Sequence, residues 1–257
     1  MKSTKQSDII HYCANHIAMT ITLLWFAAIS VQAAPHPTKD TVDSLLHCID
    51  TAIGQTDKYV QKKTDRIYYL HTKLDKAETL SAKYELSYQL YTEYLPFIND
   101  SAIFYLEQCT DIARQLNDPS KTGGCLSLMA LCCSNAGIYL ESVSILKTID
   151  PSQLNDIDLG LYYYAYSHVS NELAYYGKFA NMRKQYAVAS TRYFTLAQQH
   201  LPSNHKYNYM SQEMMLHKHN NIKQSLSINN QWLQQVQPGS TEYAIVAYYR
   251  YLDYKAM

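Results

Sequence analysis

The stretch Tyr162–Leu196, YYYAYSHVSNELAYYGKFANMRKQYAVASTRYFTL, settles the secondary structure of the chain. Tyr162, Tyr166, Val169, Leu173 and Tyr176 step by four and three. After Gly177 the same rhythm resumes at Phe179, Met182, Tyr186, Ala189, Tyr193 and Leu196. That spacing places each set on one face of a helix, so the segment reads as two amphipathic helices joined by a glycine turn. No window of the sequence sustains the alternation of a strand.

Working outward, the pattern repeats. Ala102, Leu106, Cys109, Ala113 and Leu116 form another stripe, and turn residues recur at Asn99, Gly137, Gly177 and Asn220. Pro119, Pro151, Pro202 and Pro238 fall between them, where a residue lacking an amide hydrogen ends a second helix. The spacing predicts helix pairs over 80–95 and 100–117, 121–136 and 139–149, 155–176 and 178–200, and 206–219 and 222–236. A leading helix over 41–53, a polar one over 57–76 and a last one from 241 complete the set. A pair of this length cannot bury its apolar face alone, so neighbours must stack. The expected fold is all-α, a right-handed α-solenoid of helical hairpins, with a concave groove as its default site of function.

Residues 1–34 differ from the rest. Lys2 and Lys5 precede an uncharged run from Ile17 to Val31, followed by the small-residue pattern Val31-Gln32-Ala33. This reads as an export signal, and the run is shorter than the ~20 apolar residues a spanning helix needs. Cleavage is the expected fate, with an uncleaved signal anchor as the alternative. Residues 39–78 would then hold the N-terminal helices and 79–257 the repeats, with the last repeat incomplete. The expected location is the periplasm, with inner-membrane anchoring through the signal or through a C-terminal span beyond Met257.

The whole chain of 257 residues carries 22 basic and 22 acidic residues, with no block of like charge. The electrostatic footprint of a nucleic-acid binder is therefore missing. Cys48, Cys109, Cys125, Cys132 and Cys133 lack paired metal-ligand spacing and are expected mainly as small core residues. His200, His205, His217 and His219 crowd one region, yet His217 and His219 lie on different helix faces. Glu213 with His217 supplies only two ligands, so solvated surface is expected there. Gly123-Gly124 reads as a turn. No nucleophile elbow, phosphate loop or dinucleotide fingerprint occurs, and neither catalytic residues, a cofactor nor a metal is expected. Of the 25 tyrosines, about two thirds are expected in the core, because consecutive residues on a helix span different faces and only some rings can turn inward.

The segment Gly137-Ile138-Tyr139-Leu140-Glu141-Ser142 resembles the turn and second-helix start of a tetratricopeptide repeat. The resemblance implies that Gly137 opens the turn, Tyr139 packs between helices and Ser142 lets them approach, with Glu141 in the same signature. Asn220, Ile222 and Ser225 form a weaker copy. More broadly, Asp57-Lys58-Tyr59, Arg66-Ile67 and the run from Asp100 to Pro119 resemble the exported half of certain Gram-negative regulators that carry tetratricopeptide-like helices, a membrane span and a cytoplasmic helix-turn-helix. That resemblance implies an extracytoplasmic sensor module whose partner is a protein or peptide segment in the groove. A free exported scaffold, or an enzyme with a scattered site, is the alternative.

Overall fold

The computed structural model describes residues 54–96, 99–237 and 240–256, with His47 and Asp50 besides. The expected export signal, Cys48 and, apart from those two residues, the leading helix over 41–53 lie outside the described residues. Contacts divide the chain into two units between Gln61 and Lys62, within the first fully described helix. In the first unit the helix exposes Tyr59 and Val60. The second unit, Lys62–Met257, holds the hairpins.

Ten α-helices and no strand occupy the described residues. They are α1 (Thr56–Asp75), α2 (Leu80–Tyr94), α3 (Asn99–Gln115), α4 (Pro119–Asn135), α5 (Tyr139–Lys147), α6 (Asp156–Tyr176), α7 (Ala180–His200), α8 (Lys206–Lys218), α9 (Ile222–Leu233) and α10 (Thr241–Ala256), with a single 3-10 turn at Pro151–Gln153. The hairpins α2/α3, α4/α5, α6/α7 and α8/α9 pack internally, and α3 on α4, α4 on α6 and α9 on α10 join them. The fold is an α-solenoid of tetratricopeptide-like hairpins.

Local chemistry explains the boundaries. Thr79, Asp118 and Asn155 sit before α2, α4 and α6, and their side-chain oxygens accept from the amides of Ala82, Lys121 and Asp158 at 3.2, 2.9 and 3.0 Å. These bonds satisfy donors that a helix start leaves open. Three helices end alike. Asn117, Gly137 and Asn220 adopt left-handed φ of 53°, 78° and 54°, and the amides of Asp118, Ile138 and Asn221 reach back to Ala113, Cys133 and Leu216 carbonyls at 3.0, 2.9 and 2.8 Å. This closing motif needs glycine or asparagine at the left-handed residue. Gly177, by contrast, has φ −62°. Pro119 opens α4 at its first turn, where the missing amide hydrogen is no loss.

The glycine pair Gly123-Gly124 is not a turn. Both residues lie buried inside α4, and a Cβ on Gly124 would stand 2.3 Å from Asp158 Oδ1. On Gly123 it would stand 2.4 Å from Leu154 Cδ2. The pair lets the segment leading into α6 close directly on α4, a long-range constraint that local sequence does not carry.

One apolar core runs from Leu70 of α1 to Tyr207 of α8. At the joint of α1 with α2, Lys63 and Arg66 pair with Glu93, and His71 meets the stacked rings of Tyr94 and Tyr105 edge-on. A second cluster, Tyr209, Trp232 and Val246, holds α8, α9 and α10 together. Trp232 stacks on Tyr209 with centroids 5.6 Å apart and donates to Glu242 Oε1 at 2.8 Å. All four described cysteines, Cys109, Cys125, Cys132 and Cys133, are buried and unbridged.

Candidate functional site

Tyrosines of α2, α6 and α8 give the first helices of the hairpins a tyrosine-rich face, to which α4 adds no tyrosine. Its middle is filled. Tyr207, in the first turn of α8, stacks on Tyr164 of α6 at 4.5 Å and shares a hydrogen bond with Tyr91 of α2. Burial holds the phenols of Tyr91 and Tyr164 well above the usual range, which keeps them neutral. Beside this plug, Tyr84 Oη lies 3.4 Å from Cys125 Sγ, and Lys121 sits 5.3 Å over the Tyr84 ring.

Next to Lys121 is a fixed polar ledge. Asp158 accepts from Ser120 Oγ at 2.6 Å and from Asn155 Nδ2 at 2.7 Å, while Ser120 Oγ accepts the Asn155 amide at 2.8 Å. Burial raises the Asp158 carboxyl against these two hydrogen bonds, which favour its charge. Deeper between α4 and α6, Ser134 Oγ lies 3.0 Å from His168 Nδ1. Protein encloses that ring and pushes its pKa down to about 4, so His168 is neutral near pH 7.

An open cleft of about 330 Å³ lies between α1, α2 and α3, lined by Leu74, Lys83, Ser87, Gln108, Asp111 and Ile112. Its apolar floor comes from Leu74 and Ile112. Lys83 and Asp111 bring opposite charges, and Gln108 is held by Ser87 Oγ at 3.4 Å. A cleft of this size admits two or three side chains of an extended segment.

The residues of the repeat signature occupy two separate hairpins. Gly137 turns α4 into α5, and Tyr139 stacks on Tyr176 of α6 with centroids 6.3 Å apart. Glu141 is exposed in the first turn of α5. Ser142 is fully buried. In the α8/α9 hairpin, Asn220 makes the turn, and Ile222 and Ser225 are buried at the start of α9. The Ser142 and Ser225 hydroxyls are both buried without a hydrogen-bond partner, so size, not polarity, recommends serine there. Ser142→Ala and Ser225→Ala should each leave the melting temperature unchanged or raise stability by up to ~1 kcal/mol. Ser142→Leu should cost ~1–3 kcal/mol through overpacking, and thermal unfolding of the three variants checks both directions.

The histidines do not converge. His200 lies 3.2 Å from Asp156 Oδ1, and His205 caps α8 through the Tyr207 amide at 3.4 Å. His219 is exposed. His217 corrects the expectation of solvated surface: its Nε2 is 2.6 Å from Oδ1 of Asp253, which is fully buried on α10. Glu213, one turn before His217, is fully buried as well, beside Asn229 of α9. Among the described residues no three ligand-type side chains are placed to hold a metal. The signals for this polar core were the four-residue step from Glu213 to His217 and an aspartate within the tyrosine-rich α10.

Helical hairpins, left-handed turn residues and small buried residues at the hairpin starts define a tetratricopeptide-type repeat protein, a class that generally mediates protein interaction. A family model described as the SusR N-terminal TPR domain matches residues 53–257, and the chain belongs to that family. No match was found among curated proteins or among solved structures.

Proposed function

We propose that this protein is an extracytoplasmic sensor-type module that captures an extended peptide segment in the cleft between α1, α2 and α3. The cleft itself carries the reading. It joins an apolar floor at Leu74 and Ile112 to opposed charges at Lys83 and Asp111 and to the Gln108 amide, which can pair with a peptide backbone. The filled tyrosine face beside it supplies rigidity, since a pre-organised surface loses less entropy when it binds. The placement outside the cytoplasm draws on Lys2, Lys5 and the uncharged run Ile17–Val31. Within a longer polypeptide such a module would be the exported half of a membrane-anchored regulator, and by itself it would be a free scaffold.

Photo-crosslinking tests the site. A photoreactive phenylalanine at Gln108 should trap a discrete partner in cells, and the same group at exposed Thr195 on α7 should not. Asp111→Lys should reduce the Gln108 adduct by about tenfold, the loss expected when one attractive ion contact becomes repulsive. Equal adducts from Gln108 and Thr195, unchanged by Asp111→Lys, would count against the cleft.

A further inference from the structure

Two neighbouring turns, α4 to α5 and α6 to α7, together form an exposed apolar surface. The Tyr139–Tyr176 stack ties them together, and Tyr176 meets Tyr175 edge-on at 4.8 Å. Around these rings Leu140 is 86% exposed, Tyr175 76%, Phe179 70% and Tyr176 63%. The capping positions make the surface more unusual. Ile138 precedes α5 and Phe179 precedes α7, and neither makes a side-chain cap bond. Helix starts favour Ser, Thr, Asp or Asn there, and an apolar replacement costs ~1 kcal/mol. Both turns thus give up local stability to display an apolar side chain.

Charge points the same way. Lys178, Arg183 and Lys184 are exposed beside Phe179, and the first turn of α7 holds no acidic residue. Cations close to the positive end of a helix dipole are locally unfavourable, so their combined field is available for an external anion. The nearby acids lie on the α5 and α6 side: Glu141 is exposed, and Glu172 is hydrogen-bonded to Tyr139.

From this combination we propose that the α4/α5 and α6/α7 turns dock on the surface of an anionic phospholipid bilayer. The exposed residues stand on turn tips, a shape suited to entering a soft interface. Aromatic rings with a polar tip settle at the headgroup boundary, while lysine and arginine pair with anionic lipid. Phe179 and Leu140 enter the acyl boundary, Tyr175 and Tyr176 lie at headgroup level, and Lys178, Arg183 and Lys184 engage the phosphates. The surface shares no residue with the cleft, so neither reading depends on the other.

The test uses the full chain and vesicles of phosphatidylcholine with or without phosphatidylglycerol. In Phe179→Trp, the emission remaining after subtraction of the wild-type spectrum should shift blue and be quenched by brominated lipid when phosphatidylglycerol is present. With phosphatidylcholine alone it should do neither. Comparing variants within the full chain cancels any binding by the Ile17–Val31 segment. Lys178→Glu with Lys184→Glu should weaken the partition of this tryptophan variant more than tenfold, since each cation near an anionic surface contributes about a fivefold factor. Phe179→Ser should lower vesicle flotation about tenfold relative to wild type, with a melting temperature that does not fall and rises by the gain of a serine cap at the start of α7. Tryptophan emission that ignores phosphatidylglycerol, or that responds equally to both vesicles, would overturn the proposal. So would retention on immobilised polyglutamate without vesicle binding, which would assign the surface to an acidic protein.

Discussion

Raising the pH from 5 to 9 should loosen α8, α9 and α10, and Glu213→Gln should abolish most of that loss. Glu213 is fully buried, and burial is the main force lifting its carboxyl from 4.5 to about 8. The negative charge of Asp253 adds to the lift, and the neighbouring Asn229 amide opposes it. The groups facing Glu213 are Asn229 on α9, Asp253 and Tyr249 on α10, and His217 one turn along its own helix. The folded chain keeps a proton that the unfolded chain releases above about pH 4.5. Its stabilising contribution is therefore complete below that pH and is lost as the pH rises through about 8. The loss across the window should amount to about 3–5 kcal/mol. Glutamine keeps the shape and cannot ionise, so at pH 9 Glu213→Gln should be the more stable protein, while at pH 5 the two should agree within ~1 kcal/mol. Hydrogen exchange of the amides in α8–α10 reads this locally. Parallel pH profiles for wild type and variant would show that Glu213 is not a buried acid.

The hairpins were legible because the information for them is local. A stripe stepping by three and four residues fixes a helix, as in Tyr162–Tyr176, but the buried face of that helix is centred on Leu161, Tyr164, Ala165 and Val169, and Tyr176 is exposed. Gly137 and Asn220 marked turns because a left-handed backbone restricts the choice of residue. Ser142 and Ser225 stood out as small residues at matching positions of two hairpins. What sequence hid depends on which helices meet. Gly123 and Gly124 read as a turn by composition, yet Asp158 and Leu154, about 30 residues away in sequence, occupy the space their side chains would need. Asp253 is a lone acid in a tyrosine-rich window with nothing local to mark it as buried, yet it faces His217 across the stack at 0% exposure. The cleft brings together one residue of α1, two of α2 and three of α3, and no single window contains that set. The filled tyrosine face has the same origin, since Tyr84, Tyr91, Tyr164 and Tyr207 are, taken singly, ordinary helix residues.

Tyr207→Ala should destabilise α2 as well as α8, although two hairpins lie between them in sequence. In a linear repeat stack each unit touches its neighbours, and damage decays along the array. Tyr207 departs from that rule: its ring stacks on Tyr164 of α6 at 4.5 Å, and its hydroxyl pairs with that of Tyr91 of α2. Removing the ring leaves a cavity among buried groups and should cost ~3–5 kcal/mol, the range for large aromatic truncations. Tyr207→Phe keeps the stack but strands the Tyr91 hydroxyl, at ~1–3 kcal/mol. Pairing each change with Tyr91→Phe separates the contributions. Tyr91→Phe/Tyr207→Phe should cost less than the sum of the two single changes, because neither buried oxygen then remains unsatisfied, and that shortfall is the hydroxyl coupling. Hydrogen exchange across Tyr84–Tyr94 and across Tyr207–Leu216 measures both ends of the contact. Faster exchange in α8 alone would mean that the array transmits only between neighbours. Faster exchange at both ends would mean that the first and fourth hairpins stabilise each other through Tyr207, so that the α2 wall of the cleft owes part of its rigidity to a helix it does not adjoin in the sequence.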